Sequence, residues 1–370
     1  MIFKYFSLSI STMSKNNISA IAIGDPHFQI NNITEVDTFI ERINALVQYE
    51  NPTFIVCLGD ILHTHERLHT TPLNRAYKFI DTLRKIAPTF VIVGNHDMFN
   101  NQQYLTEDGH WLGGMREWKN VTIVDKTTTA QFGVHSFTLV PFVPNGKFIE
   151  ALDTIGTDWK TSTTIFAHQE FHGCKMGAIQ SIEGDKWSTD FPLVISGHIH
   201  TRQRSQPNVY YTGSSLQHAF GENEESTVTH ITFTRTKDCI LRDISLNMPR
   251  KRIVYRDIDD IDTFEPTNTV DKIKLTINGT CEQFKSFKKT KKYKDLTERG
   301  IRVVFKPRKI TLEERDTTTD KKLCENITTE ANFSRILFDI VNEQRNPYLI
   351  QAFESVINNK EIDSSSILFI

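Results

Sequence analysis

The chain is 370 residues long, with 38% hydrophobic and 24% charged residues and a formal net charge of -2. This is the composition of a soluble globular protein, too long for one minimal core and sized for two or three units of roughly 100 to 200 residues. The balanced charge excludes any argument from net charge alone for a particular partner. Five cysteines, odd in number, widely spaced and without a Cys-x-x-Cys pair, argue against a disulfide framework and a thiolate metal knuckle, and fit a reducing compartment.

Residues 1–16 open on MIFKYFSLSIST, which is apolar but short and lacks a basic region and a cleavage site. They read as a disordered leader, or as sequence ahead of a true start at Met13, with a weak secretion signal as the alternative. No stretch approaches the roughly 18 uninterrupted apolar residues of a membrane span. No membrane partner is expected, and the location expected is cytoplasmic or nuclear.

From residue 17 onward the apolar pattern is regular. ISAIAIG and TFIVCLG are short apolar runs that end in glycine, as buried strands do. Between them Val36, Phe39, Ile40, Ile43 and Val47 recur at helical spacing, and Leu73, Ala76, Tyr77, Ile80 and Leu83 repeat that pattern before the run TFVIV. Strand, helix, strand, helix, strand predicts right-handed crossovers in a layered α/β domain, where ligands gather beyond the carboxyl ends of strands. GDPH (24–27), GD (59–60) and GNHD (94–97) occupy that place. Further on, TIFAH delivers His168, LVISGHIH delivers His198 and His200, and VYYTGS leads into a turn. Eleven of the 13 histidines occur by residue 200, so one concentrated site is expected.

The larger domain is expected to span 17–246, and the composition shifts near NMPRKR. Residues 247–310 then read as a smaller α/β unit, with KIKLTIN and IRVVFK as half-buried strands and CEQFKSFKKTKKYKDLTERG as a helix ending at Gly300. From Phe284 to Lys309 there are eleven Lys/Arg and two acidic residues, a stretch that either faces phosphate or is a solvated helix face. Residues 311–329 are polar, threonine-rich and aperiodic, a linker. Two apolar stripes within 330–358 predict a helical pair, followed by a tail at 359–370.

The strand-end residues Asp25, His27, Asp60, Asn95, His168, His198 and His200 offer seven oxygen or nitrogen donors and no thiolate. Such donors suit manganese, iron or zinc better than soft metals. Seven are too many for one tetrahedral ion. Two ions sharing a bridging carboxylate would use them all, and ions roughly 3.5 to 4 Å apart clamp the attacking and leaving oxygens of an in-line phosphoryl displacement.

The ordered series GDPH, GD, GNHD, His and GHIH resembles the calcineurin-like metallophosphoesterase superfamily over about residues 18–235. The resemblance implies a four-layer α-β-β-α sandwich carrying two divalent metal ions. It implies Asp25, His27 and His200 around the first ion, Asn95, His168 and His198 around the second, and Asp60 as the bridge. His96 would contact the scissile phosphate and protonate the leaving oxygen, with Asp97 orienting it. The protein phosphatase signatures GDxxDRG and GNHE are replaced here by GDILH and GNHD. Those motifs, with YTGSSLQHAFGE after GHIH, look like the SbcD/Mre-eleven family of DNA double-strand-break nucleases, and His63 matches that family's histidine on the DNA side of the site.

That closer resemblance implies manganese-dependent endonuclease and 3′ to 5′ exonuclease activity in repair or recombination. It also implies a homodimer, a capping domain at 247–310 contacting DNA through residues such as Lys288, Lys289, Lys291, Lys292 and Arg302, and C-terminal helices bound to an SbcC/Rad-fifty type ATPase. The short chain is closest to compact phage, large-virus or prokaryotic members. Another dinuclear phosphodiesterase or phosphatase is the rival expectation, and a non-catalytic scaffold of the same fold is a third. His65, His69, His110, His135, His218 and His230 are expected to be structural or exposed.

Overall fold

A computed structural model describes residues 17–308, apart from 66, 178, 223, 224, 237 and 267–269, together with Val341. The expected leader, linker, C-terminal helical pair and tail lie outside the described residues, Val341 excepted. The chain divides into two units, one of residues up to Val254 plus Pro266–Lys274, the other of Tyr255–Glu265 and residues from Leu275.

The first unit runs β1 (Ile18–Ile23), α1 (Ile33–Glu50), β2 (Phe54–Cys57), α2 (Thr70–Arg84), β3 (Thr89–Ile92), β4 (Val121–Val124), β5 (Thr128–Phe132), β6 (His135–Leu139), α3 (Phe148–Asp153) and β7 (Thr164–His168). A two-residue hairpin pair, β8 (Lys175–Met176) and β9 (Ile179–Gln180), precedes β10 (Val194–Gly197), β11 (Gln203–Gln206), β12 (Val209–Tyr211), β13 (Thr227–Phe233) and β14 (Cys239–Ser245). Two six-stranded sheets result, ordered β14-β13-β1-β2-β3-β4 and β11-β12-β10-β7-β6-β5.

Alternation along each strand builds the layers, because successive side chains point to opposite faces. Ala20 and Ala22 of β1 face Phe137, Phe166 and Ile195 of the second sheet in the core between the sheets. Ile21 and Ile23 point the other way, onto α1 and α2 through Phe39, Ile43 and Phe79. On the far side of the second sheet, Ile165, Val194 and Tyr211 pack under α3 and Trp159. The four-layer α-β-β-α sandwich expected from the sequence is therefore present. The buried stripe of α1 is the one the spacing predicts, whereas α2 turns slightly: Phe79 is fully buried, and Leu73 and Tyr77 lie at the margin of the core.

β1, β2 and β3 pair in parallel, as do β6, β7, β10 and β12. The carboxyl ends of parallel neighbours share one sheet edge, so the glycine-ended motifs are delivered together rather than scattered.

A third sheet is ordered β15 (Lys251–Asp257), β16 (Lys272–Gly279) and β17 (Arg302–Pro307), and α4 (Cys281–Phe287) and α5 (Lys291–Glu298) lie between β16 and β17 along the chain. The single helix expected over 281–300 is two helices. Thr290 takes an extended backbone and its hydroxyl accepts the Tyr293 N–H at 3.2 Å, capping α5 and ending α4 before it. No described helix is long and apolar enough to cross a membrane.

Phe54 marks the centre of the inter-sheet core. It is 1% exposed and stacks on Phe132 at a centroid distance of 4.6 Å, with Phe137 at 5.1 Å. Phe54→Ala is expected to lower unfolding stability by about 3–5 kcal/mol, read by chemical denaturation. The same truncation at Tyr49, which is 78% exposed, is expected to stay within about 0.5 kcal/mol.

Candidate active site

Backbone geometry at the strand ends is unusual before any side chain is considered. Asp25, His27, Asp60 and His198 hold positive φ values of 43°, 42°, 52° and 77°. Non-glycine residues reach that region rarely and at a cost. Cross-links between the motifs impose it: the His27 N–H donates to the Asp60 carbonyl at 3.0 Å, and the His198 N–H donates to Asp25 Oδ1 at 2.8 Å. Gly94 has no room for a side chain, because a Cβ there would lie 2.3 Å from Asp60 Oδ1.

These turns converge the donors named from the sequence. Asp60 Oδ1 accepts the His96 backbone N–H at 2.8 Å, which leaves Oδ2 facing His27 Nε2 at 3.5 Å and His168 Nε2 at 3.4 Å. That oxygen stands between two groups of donor atoms. On one side His27 Nε2 and His200 Nε2 approach to 3.1 Å. On the other, Asn95 Oδ1 lies 3.0 Å from both His168 Nε2 and His198 Nδ1. Donor atoms of Asp25, His27 and Asp60 lie within 4.8 Å of one another, as do those of Asp60, His168 and His198.

The arrangement tests well for cations. His168 Nδ1 sits 2.7 Å from the Leu58 carbonyl and donates to it, so in the neutral ring the lone pair is on Nε2. That lone pair faces Asn95 Oδ1, Asp60 Oδ2 and His198 Nδ1, three further electron-rich atoms. Asp25 Oδ2 is buried without a hydrogen-bond partner. Only a proton or a metal ion reconciles so many converging acceptors in a buried space. Burial opposes a charge on Asp60, yet the His168 and His27 imidazoles outweigh it and hold its carboxyl well below the usual carboxylate range. Burial keeps His27 and His198 neutral, the second at about 3, as metal-ligating imidazoles must be. Nitrogen and oxygen donors with no thiolate fit divalent ions such as manganese, iron or zinc.

One expected role is corrected. Asp97 does not orient His96. Its Oδ2 accepts backbone N–H groups of Asp60 (2.8 Å) and Gly94 (3.1 Å). Its Oδ1 accepts those of Ile61 (3.2 Å) and Leu62 (3.4 Å) and the Trp111 indole N–H (2.8 Å). His96 is held instead by its own Nδ1–H, which donates to the His63 carbonyl at 2.7 Å. The His63 ring lies parallel to that of His96, and its Nδ1 is 3.4 Å from His27 Nδ1.

Three residues at the site went unrecognised in the sequence. His65, expected to be structural or exposed, stacks on His96 with centroids 4.4 Å apart. His218, for which the same was expected, packs edge-on between His27 and His200 and reaches the Asp25 carbonyl through Nε2 at 2.9 Å. Glu222 turns toward His200 Nδ1 at 3.5 Å. A signal for the last two was available, since both belong to YTGSSLQHAFGE, a segment that follows GHIH closely. His65 carried none beyond its place two residues after His63.

Of the basic residues named for DNA contact, Lys288, Lys289, Lys291 and Arg302 are exposed in the second unit, Lys288 lying over the Phe284 ring at 5.0 Å. Lys292 is paired with Glu265 at 2.5 Å.

Asp97→Asn replaces one acceptor oxygen by an amide that would meet N–H groups already in place. It is expected to cost about 3 kcal/mol of stability and to weaken metal uptake, measured by denaturation and by metal titration of the folded protein. Unchanged stability and uptake would contradict the anchoring role.

Comparison with known proteins agrees with this geometry. The family model for calcineurin-like phosphoesterases matches residues 18–202. "Putative phosphoesterase 078R" of Invertebrate iridescent virus 3 is 46% identical over 301 residues, covering 80% of this chain and 86% of that protein. "Putative phosphoesterase 244L" of Invertebrate iridescent virus 6 is 47% identical over 284 residues, covering 75% of this chain and 99% of that protein. "Exonuclease subunit 1" of Enterobacteria phage T4 is 27% identical over 196 residues, covering 50% of this chain and 55% of that protein. On the family match and the two iridescent-virus relatives, the chain belongs to the calcineurin-like phosphoesterases, hydrolases that work with divalent metal ions.

Proposed function

We propose that this phosphoesterase is a DNA nuclease of the SbcD/Mre-eleven type, cutting phosphodiester bonds as an endonuclease and 3′ to 5′ exonuclease with manganese. The carrying observation is His63 of the GDILH motif, whose ring stands beside His27 and whose carbonyl holds His96. The T4 relative's description as an exonuclease subunit supports the same substrate class. A homodimer, an SbcC/Rad-fifty type ATPase docked on residues 330–358, and DNA contact through Lys288, Lys289, Lys291, Lys292 and Arg302 complete the proposal. These partners fit a role in repair or recombination.

Asp25, His27 and His200 would hold one ion and Asn95, His168 and His198 the other, with Asp60 Oδ2 between them. Bound ions supply Lewis acidity toward the phosphoryl oxygens and a nucleophile at neutral pH. The chain's own residues do the rest. Because His96 Nδ1–H is committed to the His63 carbonyl, Nε2 is the atom available to substrate. Burial lowers the His96 pKa, so the ring of the free protein is neutral at pH 7. An anionic phosphodiester beside it favours its protonation, and Nε2–H can then pass its proton to the departing 3′ oxygen. Stacking between His63 and His65 keeps that ring from turning.

Hydrolysis of a smaller phosphodiester is the second reading. It draws on the pairing of Lys292 and Arg299 with Glu265, and of Arg308 with Asp257 and Asp259, which neutralises part of the basic run.

With manganese, the full chain is expected to cut linear and hairpin DNA, and chelator is expected to stop it. His96→Ala should lower turnover by about 10²- to 10⁴-fold with metal content unchanged. Intact DNA in the presence of the ATPase, alongside ready hydrolysis of simple phosphodiesters, would overturn the nuclease assignment in favour of the second reading.

A further inference from the structure

The histidines of the centre differ in what fixes their tautomers. His168 is anchored by the Leu58 carbonyl at 2.7 Å, and His96 by the His63 carbonyl at 2.7 Å. His200 has no such carbonyl among its hydrogen bonds. Its side chain is 36% exposed, against 0% for His168, so packing constrains it less than His168. Its Nε2 faces His27 Nε2 at 3.1 Å, and the opposite ring nitrogen, Nδ1, faces Glu222 Oε1 at 3.5 Å.

Glu222 is itself held in place. Its Oε2 accepts the backbone N–H groups of His218 at 2.7 Å and Ala219 at 3.0 Å, which leaves Oε1 aimed at the imidazole. The segment that carries it is tied to the same motif at a second point, where the Ser214 N–H donates to the His200 carbonyl at 3.0 Å.

We infer that Glu222 is a positioning residue for the His27/His200 metal position: it keeps the proton of His200 on Nδ1 and so presents the Nε2 lone pair to the ion. This rests on the two-ion reading above. A carboxylate behind a metal-ligating histidine fixes the ring and raises its basicity, and its loss typically weakens metal affinity by about 10- to 100-fold. Because the second position draws on His168 and His198, neither of which touches Glu222 in its hydrogen bonds, the effect should fall on one ion alone.

The test is calorimetric titration of manganese into the metal-free full chain, for wild type, Glu222→Ala and Glu222→Gln, with melting of each metal-free protein alongside. Wild type is expected to take up two ions. Glu222→Ala should weaken one by about 10- to 100-fold and leave the other alone, and Glu222→Gln, whose one oxygen is claimed by the His218 and Ala219 N–H groups so that its NH2 meets the His200 Nδ1–H, should lose as much while melting closer to wild type. Equal weakening at both positions, or none, would overturn the inference while sparing the two-ion reading. A wild type that takes up no ion would overturn both. Should the alanine variant not fold, nitrogen-correlated NMR of the zinc-loaded wild type decides: a proton on His200 Nδ1 is expected, and one on Nε2 refutes the role.

Discussion

The centre depends on one carboxylate that faces neither substrate nor metal. Asp97 collects N–H groups from the turn after β2, from the turn after β3 and from Trp111. A buried carboxylate with five donors is satisfied only if those three segments stay together. Holding the Asp60 backbone in its left-handed turn turns the Asp60 side chain so that one oxygen is spent on the His96 N–H and the other is left between His27 and His168. Gly94 is the steric counterpart, since any side chain there would displace Asp60. The placement of Asp60 is thus built from the inside of the fold outward.

The same logic explains the electrostatics. Burial would neutralise an isolated carboxylate, yet Asp60 stays ionised because imidazoles surround it, and His168 is pulled up to about 9 despite its burial because Asp60 and Asp25 attract its proton. The field that favours a proton on His168 is the field that favours a divalent cation in its place. The Leu58 carbonyl behind His168 then decides which nitrogen of that ring faces inward.

Much of this was legible in the sequence, for a physical reason. Parallel strands buried on both faces read as short apolar runs, and polar residues gathered at their ends are where ligands collect. GDPH, GD, GNHD and GHIH each begin with a glycine at a strand end, the histidine ending β7 follows Ala167, and all converge in space. What was not legible involves contacts that no local pattern encodes. Asp97 sits next to His96 in sequence but turns to amides 35 to 37 residues away. His218 is near the site only because the segment after β12 folds back across β1's end, where the Ser215 N–H meets the Gly24 carbonyl. The split of the 281–300 helix hinged on a single threonine that can cap as readily as it can continue.

The strand-end cluster is expected to hold two divalent ions that share Asp60. Anomalous diffraction from manganese-soaked crystals of the full chain tests it most directly. Two peaks roughly 3.5 to 4 Å apart, one beside His27 and His200 and the other beside Asn95, His168 and His198, with Asp60 Oδ2 between them, are the predicted result. A single peak, or two that do not share Asp60, would contradict the account.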